Sequence, residues 1–137
     1  MEIGLRLSIV ALVIALIAAG IAYFSCHTAT KMTRYTYLAN KWYEIKDREF
    51  DNPNFTDLAK TSSYKTSFTG DSLKKYETFA WICWGHAEDI YLNKWHKDAG
   101  FKPSLKYYKN LHYSWLKDPE NSKRFDSSFI KYIDALQ

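Results

Sequence analysis

The chain has 137 residues, room for one ordinary domain. Its 19 Lys and Arg against 15 Asp and Glu leave a net charge of +4, and no basic cluster interleaved with aromatics stands out, so nucleic acid is not an expected partner. Two cysteines, Cys26 and Cys83, are too few for a disulfide framework and are expected as free thiols.

The chain opens on an apolar run. From Leu7 to Phe24, "LSIVALVIALIAAGIAYF" spans 18 residues with Ser8 as its one polar side chain. At about 1.5 Å per helical residue that is ~27 Å, close to the ~30 Å hydrocarbon core of a bilayer. A cleaved signal peptide would carry a shorter apolar region of roughly 7–15 residues and a small-x-small cleavage site. Here bulky Tyr23 and Phe24 precede Ser25-Cys26. Residues 1–27 therefore read as a single-pass transmembrane anchor, in the inner membrane if the source is bacterial. Lys31, Arg34 and Lys41 follow the span and only Arg6 precedes it, a bias that puts the C-terminal part in the cytoplasm. Cys26-His27 reads as a plain interfacial pair, with palmitoylation of Cys26 as the other reading.

Within the span, Gly4, Ser8, Ala11, Ala15, Ala18, Ala22 and Ser25 are spaced 4, 3, 4, 3, 4 and 3 apart. Small residues in such a seam let helix backbones approach closely in lipid, where dispersion and weak Cα–H···O contacts drive association. The seam is expected to pack on a partner helix.

Residues 28–50 are expected to continue the anchor as a juxtamembrane helix, with Tyr35, Leu38, Trp42 and Ile45 on one face. Pro53 ends it. Residues 51–137 then form a helical soluble domain, beginning with a polar connector that holds one helical turn near "FTDLAK". Asp71 or Ser72 offers an N-cap for a central helix to about Trp95, with Gly100 as its stop. A helix from Pro103 to Leu116 carries Leu105, Tyr108, Leu111 and Trp115. After Asp118-Pro119 a last helix has Phe125, Phe129, Tyr132, Ile133 and Leu136 on its inner side. Strand-like alternation is weak throughout. The fold class is all-α: one N-terminal transmembrane helix continuing into a small cytoplasmic helical bundle.

Most of the chemistry-bearing side chains fall in "YETFAWICWGHAEDIY", Tyr76 to Tyr91. Leu73, Tyr76, Ala80, Cys83, Ala87 and Ile90 repeat at helical spacing and predict a buried seam, in which Cys83 acts as a small apolar residue. Cys83, His86 and Asp89, three apart, are the candidates for a shared metal ligand sphere. A structural site normally closes with four ligands, and no HExxH or second Cys-x-x-Cys supplies the rest. A nucleophilic cysteine wants an exposed thiolate, and Cys83 is flanked by apolar residues. Neither a metal, a cofactor nor an enzymatic activity is expected. Trp81 and Ile82 leave the seam and are expected against a partner or the membrane surface; near-complete burial of both inside the domain would contradict this.

The expected function is that of a non-enzymatic accessory or assembly subunit of a larger integral membrane complex. It would act by helix-helix packing in contact with lipid, with self-association as a variant. The alternative is a membrane-tethered metal- or small-ligand-binding module centred on Cys83, His86 and Asp89.

Overall fold

The first helix, α1 (Glu2–Asp51), is 50 residues long. The computed structural model describes residues 2–137, and side chains from residue 8 onward. The chain divides into two compact units, residues 1–37 and 38–137.

In the first unit, described positions 8–34 are exposed, including Ile14, Leu16 and Phe24 at 61%, 64% and 72%. By length and composition α1 is long and apolar enough to cross a membrane. Sequence spacing alone anticipates this helix, because nothing within it breaks the run: no proline, and two glycines, Gly4 and Gly20, of which Gly20 has open space around it.

The second unit begins inside α1. Leu38, Ile45 and Glu49 turn inward along one face, with relative exposures of 5% or less, so these turns belong to the domain core rather than to a separate juxtamembrane piece. After Asn52 a short 3-10 turn (Pro53–Thr56) and two short helices, α2 (Leu58–Ser62) and α3 (Tyr64–Ser67), replace the single expected turn. Asp57 starts α2 by accepting from the backbone N–H groups of Ala59 and Lys60. Phe55, Thr61, Tyr64 and Phe68 hold this stretch down by burial.

The central helix α4 (Gly70–Leu92) starts and stops earlier than the sequence suggests. Thr69, not Asp71 or Ser72, occupies the cap position; Ser72 serves as its partner, its hydroxyl accepting the Thr69 N–H at 3.1 Å. The helix ends because Lys94 adopts a left-handed backbone, φ 62°, and a separate 3-10 turn (Trp95–Lys97) follows. Gly100 lies beyond both. The next helix, α5 (Lys102–Leu116), runs nearly as expected, with Pro103 in its first turn. The expected last helix is two: α6 (Pro119–Ser122), capped by Asp118, and α7 (Ser127–Ala135), capped by Asp126. The two caps interrupt one hydrophobic pattern.

Packing centres on α4, which contacts α5 and α7, while α2 lies against α5. Tyr76, Ala80, Cys83, Trp84, Ala87 and Ile90 are all fully buried on it, whereas Leu73, the first residue of the expected seam, is half-buried because it sits in the exposed first turn. Two links tie α7 in. The Asp126 N–H donates to Glu88 at 2.6 Å, and Lys109 of α5 donates to the carbonyls of Asp134 and Leu136, satisfying acceptors that a helix end leaves open. No strand occurs among the described residues. The fold is an all-α bundle.

Ile45 and Phe50, both on α1, test the assignment of this helix end to the core. Ile45 is 0% exposed and Phe50 88% exposed. Ile45→Ala is expected to cost about 2–5 kcal/mol in urea unfolding of the detergent-solubilised chain. Phe50→Ala should stay within about 0.5 kcal/mol. Equal effects would contradict the assignment.

Candidate functional site

The residues singled out on α4 differ in exposure. Cys83 is fully buried, and burial holds its thiol well above the usual range. His86 is 3% exposed, whereas Asp89 faces solvent. Among the described residues, no three His, Cys, Asp or Glu side chains come together as a metal site. Trp81 is 54% exposed and Ile82 half-buried, so the near-complete burial that would contradict an outward role for both is not found. Of the membrane seam, Ser8, Ala11, Ala15, Ala18, Ala22 and Ser25 are exposed, and Gly4 lies outside the residues whose burial is described. Cys26 is an exposed free thiol.

What the fold does bring together is a buried polar network among α1, α4 and α5. His86 projects from α4 between the other two helices. Its Nε2 lies 2.9 Å from the Leu38 carbonyl of α1, and its Nδ1 lies 2.9 Å from the Tyr108 hydroxyl of α5. A carbonyl oxygen only accepts, so Nε2 carries the proton and donates to it. In the neutral ring Nδ1 then accepts from Tyr108. Both nitrogens are engaged within the fold, which leaves His86 no lone pair for an added ligand. Burial pushes its pKa down to about 4; the Leu38 carbonyl opposes that shift and the nearby Lys41 charge adds to it.

About three turns of α4 towards its N-terminus, Tyr76 meets His112 of α5, hydroxyl to Nδ1, at 3.2 Å. The Trp84 indole N–H donates to the His112 carbonyl at 3.1 Å. The Phe79 ring stands edge-on to the His112 imidazole, centroids 5.4 Å apart. The His112 Nε2 is buried without a hydrogen-bond partner, and burial pushes this ring's pKa down to about 3.

A second polar group was not anticipated from the sequence. Glu49 of α1 is 5% exposed and its Oε2 accepts from Lys46 at 2.7 Å and from the Tyr107 hydroxyl at 2.8 Å. The Lys46 ammonium lies 3.5 Å from the centroid of the Tyr107 ring and 4.6 Å from that of Trp42. The available signal was positional: Glu49 stands four residues after Ile45, on the stripe that holds Leu38.

The network therefore works as an internal clamp of neutral imidazoles and a paired carboxylate. Its pH response follows from the imidazoles. Folded His86 takes a proton only below about pH 4, whereas an unfolded histidine does so below about 6.5. The unfolded chain binds more protons between those values, so stability falls on acidification through that window. Holding His86 down to about 4 corresponds by itself to a loss of roughly 3 kcal/mol between pH 7 and 4, and His112, held down to about 3, adds to the loss in the same window. Urea unfolding across this range should show that loss, and His86→Gln, weaker at neutral pH, should show a shallower acid slope. An unchanged slope would remove His86 from the explanation. No protein-family model, curated protein or solved structure matches the chain, and what bears on its function is the chemistry of these residues.

Proposed function

We propose that this chain is a single-pass membrane protein that acts by binding: an accessory or assembly subunit of a larger integral membrane complex. The observation that carries the reading is the exposed apolar helix with its unbroken small-residue seam, Ser8 to Ser25, in which Ala11, Ala15, Ala18 and Ala22 hold one face. In lipid such a face favours close helix contact, because small side chains bring backbones within dispersion range. The bundle places the α4 cysteine and histidine in internal packing and hydrogen bonding, which favours a binding role over chemistry at that site. The exposed Trp81 on α4 suits an interface anchor, an aromatic body with a polar N–H at its edge. By the Lys and Arg bias after the span, the bundle lies in the cytoplasm.

Ala11→Leu combined with Ala15→Leu widens the seam at its middle without adding polarity. On purification from native membranes in mild detergent, the wild-type chain is expected to bring a larger membrane protein with it. The double variant should lose that protein while its bundle keeps the same melting temperature. Retention of the partner by the variant would refute the role of the seam. A wild-type chain that purifies as a homodimer, dissociated by the same substitutions, would place the seam in self-association.

A further inference from the structure

Between the last turns of α1 and the first half of α4 lies a concavity of about 290 Å³. Three cations from two helices line it: Arg48 of α1 and Lys74 and Lys75 of α4. No carboxylate lines it. Among the described residues these cations meet one acidic partner, Asp71, 3.9 Å from Lys74, with side chains 92% and 82% exposed, an arrangement that contributes little. Like charges gathered across a concavity repel one another, and a cleft lined by one sign raises the local concentration of the opposite ion. Lys74 and Lys75 also stand in the second turn of α4, near the positive end of its dipole, so their own helix does not compensate them.

The rest of the lining is suited to a ligand with more than charge. Phe55 and Phe79, 6% and 3% exposed with ring centroids 5.3 Å apart, make a fixed apolar floor. The Asn52 amide donates one N–H to the Arg48 carbonyl at 3.0 Å and keeps a second N–H to give. The Thr78 hydroxyl donates to the Lys74 carbonyl at 2.9 Å, so towards a ligand it can only accept, as from a hydroxyl. Guanidinium and ammonium groups together match phosphate, the first as a bidentate fork and the second as a point charge. The volume sits at the low end of the roughly 300–1,000 Å³ of small-molecule sites, which fits a head group or a small phosphomonoester and not a nucleic acid chain.

We propose that this concavity binds a phosphate group, carried by a small soluble molecule or by a lipid head group. Arg48, Lys74 and Lys75 neutralise the phosphate, Asn52 donates to it, and the attached organic part lies over Phe55 and Phe79.

The test uses the full chain, isotope-labelled, in nanodiscs of phosphatidylcholine. Sodium phosphate is titrated at constant ionic strength against a sodium chloride control while the Arg48 Nε–H and Thr78 amide resonances are followed. A parallel sample replaces a fifth of the lipid with phosphatidic acid. The expected result is a saturable shift with phosphate or with phosphatidic acid, absent with chloride, and weakened roughly tenfold or more in Arg48→Gln and Lys75→Gln at unchanged melting temperature. A response to phosphate alone assigns a soluble ligand; a response to phosphatidic acid in the phosphate-free disc assigns the lipid head group. The proposal is overturned if chloride produces the same shift, if neither phosphate source produces one, or if both variants bind as the wild type does.

Discussion

The bundle depends on one hydrogen-bonded ring. His86 reaches from the middle of α4 to a main-chain carbonyl of α1 on one side and to a tyrosine hydroxyl of α5 on the other, both at 2.9 Å. A helical carbonyl has a second lone pair, so Leu38 can accept the imidazole N–H without leaving its helix. A neutral imidazole offers one donor and one acceptor, and this pair of partners requires that combination. The geometry therefore selects a single tautomer, and three helices share a register set by a group that tolerates neither ring inversion nor a charge. Removing either partner would strand a buried polar atom, which costs about 1–3 kcal/mol, more than the bond contributes when made.

Around this ring the core combines aliphatic side chains such as Leu38, Ile45 and Leu105 with a large share of aromatic ones. Trp42 of α1 meets Tyr107 and Tyr108 of α5, with centroids 5.6 Å apart in each case, and Trp84 lies against Tyr108 and Phe129. Aromatic pairs in edge-on and tilted arrangements add about 0.5–1.5 kcal/mol beyond area burial, and their polar edges need partners inside. That need is met for Trp84 and Tyr108. It is not met for the Trp115 indole nitrogen, the His112 Nε2 or the Glu49 Oε1, which are buried with no hydrogen bond. Such atoms are few in native folds, and here they mark where the polar core is least satisfied.

Much of this was legible in the amino-acid pattern, and the failures have physical causes. The seam Tyr76, Ala80, Cys83, Ala87, Ile90 on α4 is fully buried, because a regular 3.6-residue period over 23 residues leaves little room for another reading. Leu38 and Ile45 were likewise legible as one face of α1. The stretch from residue 52 to 69 was not: three short helical pieces carry too few turns for periodicity to show. Nor was the break between α6 and α7, since Phe125 and Phe129 continue a helical spacing across a cap formed by Asp126. The clamp itself was only half visible. His86 stands out as a polar residue beside an apolar seam, but its partners Leu38 and Tyr108 are 48 and 22 residues away, and one of them contributes main chain alone. The basic concavity was invisible for the same reason: Arg48 and Lys75 become neighbours through the packing of two helices, not through spacing along one.

The most direct measurement of this account is nitrogen-15 spectroscopy of the His86 imidazole in the labelled full chain. The clamp predicts a protonated, pyrrole-type Nε2 and a pyridine-type Nδ1 broadly unchanged from pH 8 down to about pH 5, above the pKa of about 4 that burial imposes. A proton on Nδ1 instead, or an imidazolium at neutral pH, would contradict the hydrogen bonds to Leu38 and Tyr108 and with them the role of His86 in holding α1, α4 and α5 together.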